Sequence, residues 1–369
     1  MRGKGSYPTI AATMIVKDEA SFLGACLQSL SEHVDEIVVV DTGSTDSTLE
    51  IARRFDCKIS EVPWEGDFAA ARNQAFRHTN ADWCLYIDAD ERLSVPEGQT
   101  LGSIVDDVGA AAYFVRFVPK LGFTPYHEIR LYRNDPRIRF FGSMHETVHD
   151  AIQQVCLSDG LTIEPSDVAI EHHGYEGDQS NKHDRNLPLL KRAILEQPER
   201  AFIWAHLGDT LARLGRTGEA RDALRKAIEL SDDNENLKQK TDGSVAWTHL
   251  IELELASDPE QAASLAKVAL ERYPEHHAIY LQYASAMLRC GSVANAVPIL
   301  EKLISIDADN FFDPLAAYDK RVFGEWAYGL LGDAHLMLGD KELALDAFNS
   351  AVELNPDCQE YRVKAAICQ

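Results

Sequence analysis

The apolar positions of this chain change period as it proceeds. Up to about residue 112, short unbroken apolar runs alternate with stretches whose apolar residues recur every three to four positions. Residues 10–16, Ile37-Val38-Val39-Val40 and Trp83-Cys84-Leu85-Tyr86-Ile87 are unbroken runs. Such runs predict strands buried on both faces, as in a parallel sheet. Between them, residues 20–30 (Phe22, Leu23, Cys26, Leu27, Leu30), the stretch with Leu49, Ile51, Ala52 and Phe55, and residues 67–77 (Phe68, Ala71, Ala75, Phe76) carry helical spacing. Gly43 supplies a turn, and Asp46 or Ser47 a cap for the second helix. This βαβα alternation predicts an α/β domain with helices covering the sheet.

Beyond it, residues 111–118, 127–133, 140–148 and 167–172 read as further strands with few helices between them. They predict a mixed sheet completed by these added strands. Residues 181–196 read as a connector helix, and the rest is helical and repetitive. Trp204, Leu207, Gly208, Leu211, Gly215, Ala220, Leu224 and Ala227 share their spacing with Tyr328, Leu331, Gly332, His335, Gly339, Ala344, Phe348 and Ala351. Weaker copies surround Trp247 and Tyr280, and the register breaks across 311–324, which predicts an insertion between the third and fourth copies. The spacing resembles the tetratricopeptide repeat, a helix–turn–helix unit of about 34 residues. Small residues such as Gly208 and Ala220 then let paired helices approach closely; the alternative is a generic helical bundle. The domains expected are 8–178 (α/β), 179–200 (connector) and 201–369 (all-α, about four repeats).

A length of 369 residues suits two domains, and 45% hydrophobic with 26% charged residues is globular. A net charge of −23 argues against a nucleic-acid or membrane-surface partner. Any diphosphate ligand would need local cations or a metal to shield it. The seven cysteines are odd in number and scattered, with no C-x-x-C pair, so neither a disulfide framework nor a zinc site is expected and the cytoplasm is. No leader and no membrane span are expected from the apolar pattern.

Candidate chemistry begins at Asp88-Ala89-Asp90-Glu91, just past the third unbroken run. Ligands of parallel sheets sit beyond the carboxyl ends of the strands. Side chains two apart in an extended segment point the same way, so Asp88 and Asp90 could share one divalent cation, Mg²⁺ or Mn²⁺. The plain alternative is an acidic turn.

Met14-Ile15-Val16-Lys17-Asp18-Glu19, Val39-Val40-Asp41-Thr42-Gly43-Ser44-Thr45-Asp46, Asp67-Phe68-Ala69-Ala70-Ala71-Arg72-Asn73 and Asp88-Ala89-Asp90-Glu91 together resemble the family 2 glycosyltransferases of GT-A fold. His145-Glu146 and His172-His173-Gly174-Tyr175, followed by tetratricopeptide repeats, resemble the branch that includes the S-glycosyltransferases of bacteriocin peptides. The resemblance implies a GT-A nucleotide-diphospho-sugar transferase domain with a mixed sheet, followed by an all-α tetratricopeptide-repeat domain. It implies a metal-dependent, inverting hexosyl transfer from a nucleoside-diphosphate sugar, UDP-linked, in a bacterial cytoplasm. Asp90 and His172 would hold Mn²⁺ or Mg²⁺, with Asp88 on the ribose or on the metal through water; His173 leaves that register open by one. Val16, Glu19, Asp41, Gly43, Arg72, Asp88 and Ala89 would bind the nucleotide sugar, and Glu146 would be the catalytic base.

Each role has a plainer rival. Asp41 could bond its own turn, Gly43 could serve the turn alone, and Glu146 could be a solvated loop acid. An interior Arg72 needs an anion, and a phosphate, Asp88 or Asp67 would serve. His145-Glu146-Thr147-Val148-His149 also reads H-E-x-x-H, the zinc-hydrolase motif, which requires a helix. The acceptor could be a peptide, protein or glycan, and the repeats could bind it or build a homodimer. A scaffold with an inert transferase domain is the rival of another class. A nucleotidyltransferase would need a Gly-rich basic loop that residues 14–19 lack.

Overall fold

The structure, a computed structural model, describes residues 7–174, 182–232 and 237–369. Tyr175 and the start of the expected connector lie outside the described residues. The described part falls into two units, one drawn from 7–121, 125–174 and 313–317, the other from 122–124, 182–232, 237–312 and 318–369.

The first unit runs β1 (Ile10–Val16), α1 (Leu23–Leu30), β2 (Glu36–Asp41), α2 (Thr48–Arg54), β3 (Lys58–Glu61), α3 (Phe68–Ala75), β4 (Trp83–Tyr86), β5 (Glu91–Ser94), α4 (Leu101–Ile104), β6 (Ala110–Val118), β7 (Tyr126–Arg133), α5 (His149–Asp159) and β8 (Thr162–His172). The strands form one mixed sheet of eight in the order β3-β2-β1-β4-β7-β6-β8-β5. β1 to β4 are parallel, β7 is antiparallel to β4 and to β6, and β5 is antiparallel to β8. Apolar residues of β1, β2 and β4 are buried on both faces, as their lack of alternation predicts: Met14, Val39 and Leu85 lie in one cluster with Leu23 and Leu27 of α1, Val38 and Val40 in another with Ala75 of α3. The Asp67 carboxylate accepts the Ala70 N–H at 2.8 Å and caps α3.

Two expectations about local structure fail. Residues 140–148 do not form a strand. They are a loop joined by one bridge, Phe141 to Thr147, with left-handed backbone at Gly142 and His145, and the helix α5 follows. Extended backbone cannot pass through positive φ, and at His145 that conformation is held against steric preference. Nor is the Asp88–Asp90 segment extended. β4 ends at Tyr86, and the Glu91 N–H donates to the Asp88 carbonyl at 3.0 Å, closing a turn. Asp88 and Asp90 therefore diverge.

The second unit is helical: α6 (Lys182–Glu196), α7 (Ala201–Arg213), α8 (Thr217–Asp232), α9 (Leu237–Leu255), α10 (Pro259–Arg272), α11 (His277–Arg289), α12 (Val293–Ile304), α13 (Glu325–Leu338), α14 (Lys341–Leu354) and α15 (Gln359–Cys368). The pairs α7/α8, α9/α10, α11/α12 and α13/α14 fit the repeat spacing. α6 packs on α7 and so belongs with the repeats. The insertion carries a 3₁₀ turn (Lys320–Phe323) whose Phe323 joins Phe311, Tyr318 and His277 in a cluster with centroids 5.0–5.9 Å apart. The small residues act as expected: a Cβ on Gly208 would stand 2.5 Å from the Leu224 side chain, and one on Gly332 2.5 Å from the Phe348 ring. Overpacking against a rigid ring costs about 1–3 kcal/mol. Gly332→Ala is therefore expected to lower stability by that amount in urea unfolding, and an unchanged midpoint would show that the two helices slide apart freely.

Candidate active site

The carboxyl ends of β1, β2 and β4 open onto three loops. The loop after β1 is stitched to the loop after β2: the Asp18 carboxylate accepts the Thr45 N–H at 2.6 Å, and Thr48 Oγ1 accepts the Glu19 N–H at 2.8 Å. The Val16 carbonyl accepts the Thr42 N–H at 3.0 Å. Asp41 is buried, and its Oδ2 accepts the N–H groups of Gly43 and Ser44, both at 3.0 Å. That is the turn-acid geometry, with Gly43 at φ +106° providing the bend. Glu19 is half-buried, and burial together with the charges of Asp90 and Asp88 pushes its carboxyl above the usual range. Ala89 is buried and gives its carbonyl to Arg92 at 3.2 Å.

Arg72 ties the acids together. Its Nη2 lies 2.9 Å from Asp88, and its Nε donates to Glu146 at 2.5 Å. Asp67, the rival partner, is occupied capping α3. Burial works to raise the Asp88 carboxyl, but the Arg72 and Arg130 guanidiniums outweigh it and hold Asp88 below the usual carboxylate range. One Arg72 donor, Nη1, is buried without a hydrogen-bond partner. α3 also places the Glu146 loop: Asn73 exchanges two 2.9 Å hydrogen bonds with the Phe140 backbone, and the Phe68 N–H donates to the Ser143 carbonyl at 3.1 Å.

On the other side of the turn, Asp90 Oδ2 is 2.8 Å from His172 Nε2. His172 Nδ1 lies 2.8 Å from the Pro119 carbonyl, an acceptor, so Nδ1 carries a proton. The hydrogen bond to Asp90 raises the His172 pKa to about 9, against burial, and the Pro119 carbonyl adds to the rise. His173 lies instead 3.3 Å from Glu171, while His172 is the one of the two beside Asp90.

Once the proton they share is released, Asp90 Oδ2 and His172 Nε2 fit a divalent cation. Two neighbouring ligands of an octahedral Mg²⁺-sized ion, each about 2.1 Å from it, stand about 3 Å apart, close to the spacing here. A Cβ on Gly174 would lie 2.5 Å from both Asp90 Oδ2 and His172 Nε2, so the Gly174 backbone packs close against one side of the pair and no side chain fits there. Among the described residues no three His, Cys, Asp or Glu side chains converge as a ready cage. Asp88, expected as a third ligand, is instead paired with Arg72. Hard cations of this kind commonly keep waters and take only one or two carboxylates plus substrate phosphates.

The H-E-x-x-H segment does not form a helix: residues 145–147 are in the bent loop and His149 is the first residue of α5, its ring 2.9 Å from Gln153. Two members of the site escaped the sequence reading. Arg130 and Glu91 form a buried two-point ion pair at 3.0 and 3.1 Å. Burial pushes the Glu91 carboxyl up to about 7, with Arg130 pulling the other way. Glu91 stood in the acidic motif without a role, and the signal for Arg130 was an arginine within a strand-forming run.

The chain matches the Glycosyl transferase family 2 over residues 12–155, and the tetratricopeptide repeat over 201–234, 253–319 and 326–358. His172 lies beyond the first match. A TPR repeat-containing protein of Synechococcus elongatus is 37% identical over 227 residues, 59% of this chain and 56% of the relative. The SPbeta prophage-derived glycosyltransferase SunS of Bacillus subtilis is 26% identical over 238 residues, 61% of this chain and 54% of the relative. The chain thus spans about half the length of these curated relatives. A solved glucosyl-3-phosphoglycerate synthase of Mycobacterium tuberculosis covers 50% of this chain and 80% of its own at 18% identity, with a TM-score of 0.38.

Proposed function

We propose that this chain, in which a family 2 glycosyl transferase domain precedes tetratricopeptide repeats, is a metal-dependent, inverting glycosyltransferase. It moves a sugar from a nucleoside diphosphate, with UDP as the nucleotide, to a peptide, protein or glycan acceptor. The observation that carries this reading is the Asp90–His172 pair, held at 2.8 Å beyond the carboxyl ends of the parallel strands.

In this reading Asp90 and His172 would hold Mn²⁺ or Mg²⁺, which when bound would supply positive charge to neutralise the diphosphate. Val16, Glu19, Asp41, Gly43 and Ala89 shape the nucleotide pocket, Asp41 by holding the turn rather than through a free carboxylate. Asp88, kept ionised by Arg72, faces the ribose. The unpartnered Arg72 Nη1 is a donor available to the diphosphate. Glu146 takes the acceptor's proton as the acceptor attacks the anomeric carbon and the bond to the diphosphate breaks. The repeats supply an acceptor groove or a homodimer contact. Among the described residues no helix is long and apolar enough to cross a membrane. The cytoplasm is the proposed setting, where seven unpaired thiols stay reduced.

The test is thermal stability against a panel of nucleotide sugars with and without Mn²⁺. Ligand at 100 times its Kd stabilises by about 2.7 kcal/mol. A Mn²⁺-dependent shift with one UDP-sugar supports the reading, and no shift with any nucleotide sugar sinks it. Gly174→Ala would put a methyl group 2.5 Å from both atoms and force the two side chains out of their places, so it is expected to abolish the Mn²⁺-dependent part while leaving the ligand-free melting temperature within a few degrees. Retention of the full shift in that variant would move the ion elsewhere.

A further inference from the structure

Beyond its charge on Asp88, Arg130 has no part in the roles above, yet it lies enclosed beside them. On β7 it sits between the rings of Tyr86 and Phe117, 4.2 and 4.5 Å from their centroids. Its two terminal nitrogens reach the two Glu91 oxygens at 3.1 and 3.0 Å, with both side chains under 10% exposed. A buried ion pair adds little net stability over well-packed apolar residues, so this one invites a positional explanation.

Glu91 is joined to both halves of the proposed cation site. Its Oε2 accepts the Asp88 N–H at 2.8 Å, and its own N–H donates to the Asp88 carbonyl at 3.0 Å, so side chain and backbone close the same turn. As the first residue of β5 it stands opposite His172 in the β5–β8 ladder. One residue away, the His173 N–H donates to the Asp90 carbonyl at 2.8 Å. The backbone that carries Asp90 is thus laid against the backbone that carries His172, and Glu91 is the joint. Arg130 fixes that joint to the centre of the sheet, since β7 pairs with β4, the strand that leads into the turn.

We propose that Arg130 and Glu91 are positioning residues. Their two-point contact sets the Asp88–Glu91 turn against β8 and so sets the spacing of Asp90 Oδ2 and His172 Nε2. This rests on the reading of Asp90 and His172 as cation ligands. Lysine at 130 keeps the charge but cannot grip both carboxylate oxygens. Glutamine at 91 keeps the size and one acceptor oxygen.

The experiment is calorimetric titration of the full chain with Mn²⁺ alone, together with a melting curve for each variant. Removing groups that orient metal ligands costs 10–100-fold in affinity, so Arg130→Lys and Glu91→Gln are each expected to bind Mn²⁺ at least about 10-fold more weakly while folded. Should Glu91→Gln fail to fold because it strands the Arg130 charge, the double variant Arg130→Gln/Glu91→Gln removes both charges, and the same loss is expected. Lower melting temperatures with wild-type Mn²⁺ affinity would mean a purely structural pair and overturn the proposal. Wild-type protein that binds no Mn²⁺ would overturn the cation reading and this inference together. Binding lost in Asp90→Asn but kept in the Arg130 and Glu91 variants would overturn this inference alone.

Discussion

Asp90→Asn is expected to lower sugar transfer by about 10²–10³-fold at saturating donor, the scale lost when one group aimed at developing transition-state charge is removed. Asparagine preserves the size and one oxygen of the side chain but not its charge. Asp90 and His172 are both partly exposed, about a quarter and a third, and an ion pair at that exposure is worth about 0–1 kcal/mol. Stability should therefore barely move while Mn²⁺ affinity and transfer collapse. The check is a rate measurement with titrated Mn²⁺ beside a melting curve. A variant that transfers sugar within a few-fold of wild type would remove Asp90 from the chemistry. A variant that is inactive because it is unfolded would show itself in the melt.

The second large effect belongs to Arg72. Its guanidinium is about 9% exposed and serves two carboxylates, Asp88 and Glu146, from the interior side of α3. Removing one partner of a buried ion pair costs about 3–5 kcal/mol, because the charges left behind are uncompensated. Arg72→Met is therefore expected to lose stability on that scale near pH 7 and to lose transfer as well. Arg72→Lys should fold better but remain impaired, since one ammonium cannot reproduce the planar contact to both acids.

The pH dependence separates this pair from general damage. Arg72 holds the folded Asp88 carboxyl below its ordinary value of 3.8. The resulting stabilisation is fully present above about pH 4 and is lost as pH falls through the folded value. Wild type and Arg72→Met should therefore converge in stability in acid and diverge towards neutrality. A constant gap from pH 3 to 8, measured by urea unfolding, would assign the loss to packing against Tyr86 and Phe140 rather than to charge; those rings lie 5.2 and 5.6 Å from the guanidinium.

The strands and the repeats were legible from residue spacing because each is a local pattern. The apolar runs that lead into Asp41 and Asp88 mark strands whatever their neighbours are. Gly208 with Leu224, and Gly332 with Phe348, meet within single helical pairs, so the repeat spacing alone placed them. The loop at 140–148 was misread because Phe140, Phe141 and Val148 have strand-forming side chains. Only the positive φ at Gly142 and His145, and the Asn73 clamp from a distant helix, show that the chain bends there.

By itself the sequence determined that an α/β sheet ends in a cluster of acids and is followed by helical repeats, since periodicity and turn chemistry act over a few residues. Which acid pairs with which cation was decided by the tertiary structure. Asp88 and Asp90 are two residues apart, yet the turn sends one to Arg72 and the other to His172, 82 positions on. The β5–β8 ladder brings His172 to Asp90, and β7 brings Arg130 to Glu91. Those meetings depend on strand order and register across the whole sheet, and no local spacing encodes them.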